Sequence, residues 1–436
     1  MKLSVIGCGY LGAVHAASMV ELGHEVVGID VDPAKIALLS EGKAPFFEPG
    51  LPEILTKAIA SGRLRFSTDI ADASGASVHF IGVGTPQRKG EYAADLTYVD
   101  AAIDALIPHL SDGDLVVGKS TVPVGTAERL AARVEAQSGA TLAWNPEFLR
   151  EGFAVKDTIE PDRLVYGVPG GDAGVRAKET LNAVYAAAIA RDTPLVVTDY
   201  ATAELVKVSA NAFLATKISF INAMAEIADA SGADVTQLAD AIGFDARIGR
   251  RFLNAGVGFG GGCLPKDIRA FSARAEELGR GDSVTFLKEV DAINLRQRDR
   301  LVQMVVDALG GNVFLKKVAV LGLAFKPMSD DVRDSPALDV AVRLHGLGAN
   351  VIATDPEAIA NSRRLHPQLT FTEDVNEALT EADVVVVVTE WKEFRALDPA
   401  EVLAATSGSV IIDGRNCLDP VAWRAAGWTY QGMGRP

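Results

Sequence analysis

The strongest constraint on this chain lies at its start. Leu3-Ser4-Val5-Ile6 is a short apolar strand that runs into Gly7-Cys8-Gly9-Tyr10-Leu11-Gly12, and a helical pattern follows to about Leu22. A second strand pattern, Glu25–Ile29, ends in Asp30. Strand, GxGxxG turn, helix, strand and acid in that order specify a βαβ unit, and with it a parallel sheet covered by helices. Gly7 makes the tight turn, Gly9 admits a pyrophosphate, and Gly12 lets helix pack on strand. The helix start at Tyr10 and Leu11 offers unpaired N–H groups to the phosphates. Asp30 would accept hydrogen bonds from ribose hydroxyls and repel a 2′-phosphate, which favours NAD over NADP.

The alternation of strands and helices continues: strand Ser77–Val83, helix Tyr98–Leu110, strand Asp114–Gly118, helix Gly125–Gln137 and strand Thr141–Trp144. Gly84-Thr85-Pro86, Ser120-Thr121-Val122-Pro123 and Asn145–Gly152 each follow a strand, at the edge where open parallel sheets bind ligands. The first two also read as ordinary turns. In the third, Glu147 and Glu151 read either as a solvated face or as an active-site pair.

From about Asp199 to Ala230 the pattern is one long helix. Lys207 and Asn211 share a face at i, i+4, in line with apolar Leu214 and Ile218, where polar groups must be paired or functional. A snorkelling lysine beside an amide is the plainer alternative. Gly256–Asp267 is a glycine-rich turn holding Cys263, Lys266 and Asp267. Glycines admit a ligand to the backbone and a nearby cation favours a thiolate; a flexible loop with a chance cysteine fits the same residues. Helices are expected over Ile268–Leu278 and Ser283–Leu309.

The last third repeats the first in outline. Leu3–Ile6 matches Val318–Leu321, Glu25–Asp30 matches Asn350–Asp355, and Val78–Val83 matches Val384–Val388. Lys326 and Pro327 stand where a dinucleotide turn needs small residues, so this copy is expected to bind something other than a second NAD. Lys326, Arg333 and Arg415 are its candidate anion ligands, and each also reads as a surface charge.

A length of 436 residues implies two or three domains. Forty-two basic against 57 acidic residues leave a net charge of −15, which disfavours nonspecific nucleic-acid or anionic-membrane binding. Cys8, Cys263 and Cys417 are too scattered for a disulfide framework or a zinc site, so no metal is expected. No apolar run approaches membrane-spanning length and no signal-peptide pattern precedes the first strand, which points to the cytoplasm.

Taken together, the fingerprint ending at Asp30, Ser120–Thr126, Asn145–Gly152, Ala203–Lys207 with Asn211–Phe213, the Cys263 loop, and Gly322–Pro327 with Arg333 resemble the UDP-glucose/GDP-mannose dehydrogenase family over nearly the whole chain. Pro161-Asp162-Arg163 and Arg247-Ile248-Gly249 resemble its UDP-glucose branch. Gly262 departs from the pattern, since serine precedes the cysteine in many members. The resemblance implies an α/β protein: an NAD-binding Rossmann domain (1–198), a central helical dimerisation region with the cysteine loop (199–311), and a Rossmann-like nucleotide-sugar domain (312–436). It implies oxidation of UDP-glucose to UDP-glucuronate by two NAD+, in polysaccharide biosynthesis, with GDP-mannose or UDP-N-acetylmannosamine as alternative substrates. A sensor that binds NAD or nucleotide-sugar without catalysis is the distant alternative.

By the same resemblance Cys263 forms a thiohemiacetal and then a thioester, which water hydrolyses. Lys207 and Asn211 stabilise the oxyanions. Asp267, or water held with Thr121 and Glu151, is the candidate base, and Glu147 serves hydrolysis. Lys35, Thr85, Thr121, Glu151, Lys266 and Arg333 join the glycine turn and Asp30 as NAD contacts. The substrate is expected along Glu147, Phe148, Leu149, Arg150 and Glu151, along Lys207 and Asn211, and along the turn from Phe252 and Asn254 through Gly256 to Gly260. Phe325, Lys326 and Arg415 complete the set, with Arg247 reaching across a homodimer.

Overall fold

The computed structural model describes residues Met1–Pro436. The chain forms two compact units, one of residues 1–210 with 273–279, the other of residues 211–272 with 280–436. The first holds an eight-stranded sheet of β1 (Lys2–Ile6), β2 (Glu25–Ile29), β3 (Leu64–Ser67), β4 (Val78–Ile81), β5 (Leu115–Gly118), β6 (Thr141–Trp144), β7 (Leu164–Gly167) and β8 (Leu195–Thr198). Their order is β3-β2-β1-β4-β5-β6-β7-β8. Every pairing is parallel except β6 with β7. Strands β4 and β5 are buried at every position, as strands packed on both faces must be.

The second unit holds a six-stranded sheet of β9 (Lys317–Leu321), β10 (Asn350–Thr354), β11 (Thr370–Phe371), β12 (Val384–Val387), β13 (Val410–Asp413) and β14 (Thr429–Gly432). Its order, β11-β10-β9-β12-β13-β14, follows the scheme of the first six strands of the other sheet. The repeat seen in the sequence is therefore a repeat of topology. Both sheets are α/β with the chain's apolar runs at their centres.

A helix of 32 residues, Tyr200–Ser231, begins in the first unit and continues into the second. The helix expected from Ile268 begins earlier, at Leu264, and ends at Glu277. Pro265 is compatible with a first turn, where its missing N–H costs nothing, so the residue directly before this helix is Cys263. Strands β3, β7, β8, β11 and β14 lie beyond those the sequence pattern indicated. They have at most four residues each, too few to show a period, and β8 has no buried position; β7 is a buried apolar run, Leu164-Val165-Tyr166, that pattern reading passed over.

Register sets the geometry of the binding edge. Ile6 pairs with both Ile29 and Ile81, so Gly7, Asp30 and Gly82 leave the sheet side by side. Gly118, the last residue of β5, pairs with Trp144, whose ring occupies the space a Cβ would take. Trp144 is fully buried and has no room to yield. Gly118→Ala is expected to cost about 1–3 kcal/mol through overpacking, measured as a fall in thermal midpoint, with no change in the far-UV signature of the fold.

Candidate functional site

The turn after β1 has the form that dinucleotide binding needs. Gly7 has φ +89°, and a side chain there would strike Val83. A Cβ on Gly12 would collide with the Gly7 carbonyl, whereas nothing lies within 4 Å of one on Gly9. Only the middle glycine faces open space, where a phosphate would approach. Asp30 accepts from the backbone N–H of Cys8 at 2.8 Å and of Asp32 at 3.0 Å. Lys35 Nζ lies 2.8 Å from its Oδ2. A cavity of about 580 Å³ opens beside these residues, lined by Gly7, Gly9, Asp30, Lys35, Val83 and Tyr98. An open, mostly apolar cleft ending at a carboxylate fits an adenosine. Thr85 and Thr121 border the same edge, with the Thr85 hydroxyl donating to the Thr121 carbonyl at 2.8 Å.

The loop after β6 carries Glu147 to Glu151. Lys207 Nζ lies 2.9 Å from Glu147 Oε1, both largely buried, and the other Glu147 oxygen accepts from Leu149 N at 2.6 Å. Phe148 lies beneath two cations, with the Arg163 guanidinium 3.8 Å and Lys207 Nζ 5.6 Å from its ring centre. Arg150 turns away to an exposed pair with Asp157. The loop is closed by a residue that pattern reading missed. Buried Glu48 accepts from Gly152 N at 2.6 Å, from Ala154 N at 2.7 Å and from the Tyr10 hydroxyl. Burial, followed by this carboxylate, pushes the Tyr10 phenol pKa up strongly. Glu48 thus ties the dinucleotide turn to the backbone next to Glu151; the available signal was an acid set between Phe47 and Pro49.

Glu204, also buried, holds the loop after β5. Its carboxylate accepts from Gly125 N at 2.8 Å and Ala127 N at 2.7 Å, at the start of the helix Thr126–Ser138. Burial raises its pKa to about 7 against the pull of those bonds.

In the second unit the glycine turn ends at exposed Cys263. The Cys263 carbonyl accepts from Asp267 N at 2.9 Å, so the thiol stands at the first turn of the helix Leu264–Glu277, where the helix dipole favours an anion. Asp267 is 2 % exposed and bridges two of the predicted residues, accepting from Asn211 Nδ2 at 2.6 Å and pairing with Lys266 Nζ at 2.6 Å. The turn is held by two further asparagines. Asn222 accepts from Gly256 N at 2.9 Å, and Asn294 accepts from Phe259 N and donates to its carbonyl. Asn222 stands eleven residues, three helical turns, beyond Asn211, a spacing visible in the sequence. Side chains at Gly260 or Gly262 would meet the Asp334 carbonyl or the Arg333 guanidinium. Glycine at 262 therefore leaves room for Arg333.

The turn after β9 imitates the one after β1 with a different outcome. Asp355 sits where Asp30 does, but it accepts from Leu323 N, Ala324 N, Glu357 N, Ala358 N and Trp391 Nε1. No acceptor capacity is left for a ribose. Arg415 donates to the carbonyls of Val388, Gly258 and Phe325 and lies 3.3 Å from Glu390, so its guanidinium is committed to the backbone. Lys326 Nζ lies 5.4 Å from the Phe325 ring centre. Arg247 is exposed against Asp245, Asn254 accepts from Arg250, and Phe252 holds φ +66°.

One crevice shaped for a dinucleotide, a second whose equivalent carboxylate is sealed, and a cysteine at a helix start define a two-sheet nucleotide-dependent oxidoreductase. Residues 1–189, 201–296 and 319–420 match, in turn, the NAD-binding, central and UDP-binding domain models of the UDP-glucose/GDP-mannose dehydrogenase family, and the chain belongs to that family. It is 43% identical over 440 residues to a UDP-glucose 6-dehydrogenase of Rhizobium meliloti, covering 100% of both chains. A UDP-glucose dehydrogenase structure from the hyperthermophilic archaeon Pyrobaculum islandicum superposes with TM-score 0.90 at 40% identity, covering 100% of this chain and 98% of that one. A UDP-D-ManNAc dehydrogenase from Pyrococcus horikoshii gives 0.85 at 26% identity, covering 100% and 99%.

Removing the Glu48 carboxylate would orphan the buried donors at Gly152 and Ala154, at about 1–3 kcal/mol each. Glu48→Ala is expected to lower the denaturation midpoint and weaken NAD+ binding by calorimetry. Tyr10→Phe, which removes one hydroxyl, should cost less in both measurements.

Proposed function

We propose that the chain oxidises UDP-glucose to UDP-glucuronate, with two NAD+ reduced per substrate, as a homodimer. The full-length identity to proteins named UDP-glucose 6-dehydrogenase carries this reading, at 43% against 26% for a relative named for an N-acetylmannosamine substrate.

Four electrons leave one carbon. NAD+ held at the Gly7–Gly12 turn and Asp30 would supply the hydride acceptor for each oxidation. The first oxidation, with the C6 hydroxyl proton taken by a base, yields an aldehyde. Cys263 thiolate adds to it, forming a C–S bond and a thiohemiacetal; loss of a second hydride and the hydroxyl proton gives a thioester. Water then cleaves the C–S bond, releasing carboxylate and restoring the thiol. A helix start behind the sulfur supports the thiolate. Lys207 and Asn211, successive turns of one helix, stabilise the oxyanions. Asp267, already bonded to Asn211 and Lys266, is the base, and Glu147, paired with Lys207, serves hydrolysis. Lys35, Thr85, Thr121, Glu151 and Arg333 serve the cofactor; Phe252, Asn254, Gly256, Gly260, Phe325 and Lys326 serve the substrate.

The dimer rests on the long helix. Phe213, Phe220 and Ile227 recur every seven residues and are 67%, 47% and 61% exposed, an apolar stripe on one helical face. Arg247, exposed in one chain against Asp245, would reach the substrate of the other.

NADH formed per UDP-glucose consumed should be two for the wild type. Cys263→Ser should stall after the aldehyde or trap an ester adduct; two NADH per sugar at the wild-type rate would rule out the thioester. GDP-mannose and UDP-N-acetylmannosamine, run in parallel, should be turned over at least about a hundredfold less efficiently, a difference of about 2.7 kcal/mol in transition-state binding. Light scattering of Phe220→Glu should show monomer where the wild type shows dimer.

A further inference from the structure

One buried cation takes no part in the scheme above. Lys119 follows β5 directly, next to Ser120 and Thr121, and is 7% exposed. Its ammonium donates to Asn145 Oδ1 at 2.9 Å and, more weakly, to the Asn145 carbonyl at 3.4 Å and the Tyr185 hydroxyl at 3.3 Å. Asn145 opens the loop that carries Glu147, and its own amide donates to Val165 O on β7 at 3.0 Å. Phe80 and Tyr185 place their rings 5.9 and 5.8 Å from the ammonium. His15, on the helix Tyr10–Glu21, lies edge-on to Phe80 with neither ring nitrogen hydrogen-bonded. Glu147 attracts Lys119 and Lys207 repels it. Asp157, Asp162 and Arg163 line the same small cavity as Lys119, His15, Glu147 and Tyr185.

We propose that Lys119 is a positioning residue for the oxidation: its ammonium pins Asn145, and so the base of the Glu147 loop, and acts as a second cation behind the Glu147–Lys207 pair. The proposal rests on the reading of Glu147 and Lys207 given above.

A purely structural role accounts poorly for a charge at this place. Without Lys119, Asn145 Oδ1 still accepts from the Tyr185 hydroxyl at 2.7 Å, so truncation leaves that oxygen satisfied. An apolar side chain of the same length would fill the site without desolvating an ion. Burial lowers the Lys119 pKa from 10.5 to about 8, with attraction by Glu147 offsetting part of the fall. Below pH 8 the native state therefore carries the full cost of a buried ammonium. Between pH 8 and 10.5 the unfolded chain binds the proton and the native state does not, so stability contributed at this site rises with pH. The benefit that offsets this cost lies with the groups the charge reaches, Asn145, Glu147 and Lys207.

The test uses the full-length enzyme with NAD+ and UDP-glucose. Wild type that fails to yield two NADH per sugar would fault the proposed activity and not Lys119. Given an active wild type, Lys119→Met should lower kcat by about tenfold or more while KM for NAD+ stays within about twofold. Its thermal midpoint at pH 7 should equal or exceed that of wild type, and the difference should shrink by pH 10. Lys119→Gln, which keeps a donor and drops the charge, should show the same split and serves if the Met variant does not fold. A kcat within about twofold of wild type, or a lowered midpoint with KM for NAD+ rising as kcat falls, would overturn the proposal.

Discussion

A parallel strand cannot turn back on itself; it must return through a crossover, so every strand of a parallel run delivers its loop to the same edge. That constraint organises each sheet here. In the first, Gly7, Asp30, Gly82 and Lys119 all leave the edge in register because Ile6, Ile29, Ile81 and Gly118 are paired across neighbouring strands. The chemistry of the edge then depends on what each loop places one or two residues beyond its strand. Strands of four or five residues suffice because the core packs both faces and leaves the edge open.

The two sheets show how little distinguishes a binding crevice from a closed one. Each has a glycine of positive φ after its first strand, Gly7 and Gly322, and an aspartate after its second, Asp30 and Asp355. Asp30 has two backbone donors and one lysine, and opens on a cavity. Asp355 has four backbone donors and an indole. The fold is kept, the acceptor is consumed, and the second crevice is no longer a ribose site. A duplicated topology can thus diverge in ligand through the hydrogen-bond inventory of one carboxylate.

Much of this architecture was legible in the sequence because it rests on periodicity. Val384–Val387 and Leu115–Gly118 are apolar runs too short for helices, and Tyr200–Ser231 keeps a helical stripe through 32 residues. Cys263, Asp267, Lys207, Asn211 and Glu147 stood out in the sequence as candidates: an isolated thiol in a glycine turn, and polar residues on an apolar face or after a strand. Glu48, Asn294 and Lys119 did not. A buried polar residue looks in sequence like a surface one, and only its partner distinguishes them. The partners of Glu48 lie 104 and 106 residues away. The cysteine helix begins at Leu264, four residues before the expected Ile268, because Pro265 is compatible with a first turn.

Three buried ionisable residues share one physical role. In the first unit Glu48 caps the backbone from Gly152 to Ala154, Glu204 caps Gly125 to Ala127, and Lys119 holds Asn145. Each buried ion stands where a loop leaves the sheet edge or enters a helix, and there the unpaired N–H or C=O groups are concentrated. A loop backbone in such a place must be solvated or bonded. An ion bonded to several of its groups does what water would do without water's mobility. The ions cost the fold desolvation, as the raised Glu204 and lowered Lys119 pKa values record. In exchange the loops bearing Thr121, Glu147 and Glu151 are held in place before any ligand arrives. The proposed reaction, two hydride transfers from the same carbon, needs that, since reacting atoms must meet within about 3–3.5 Å on each occasion.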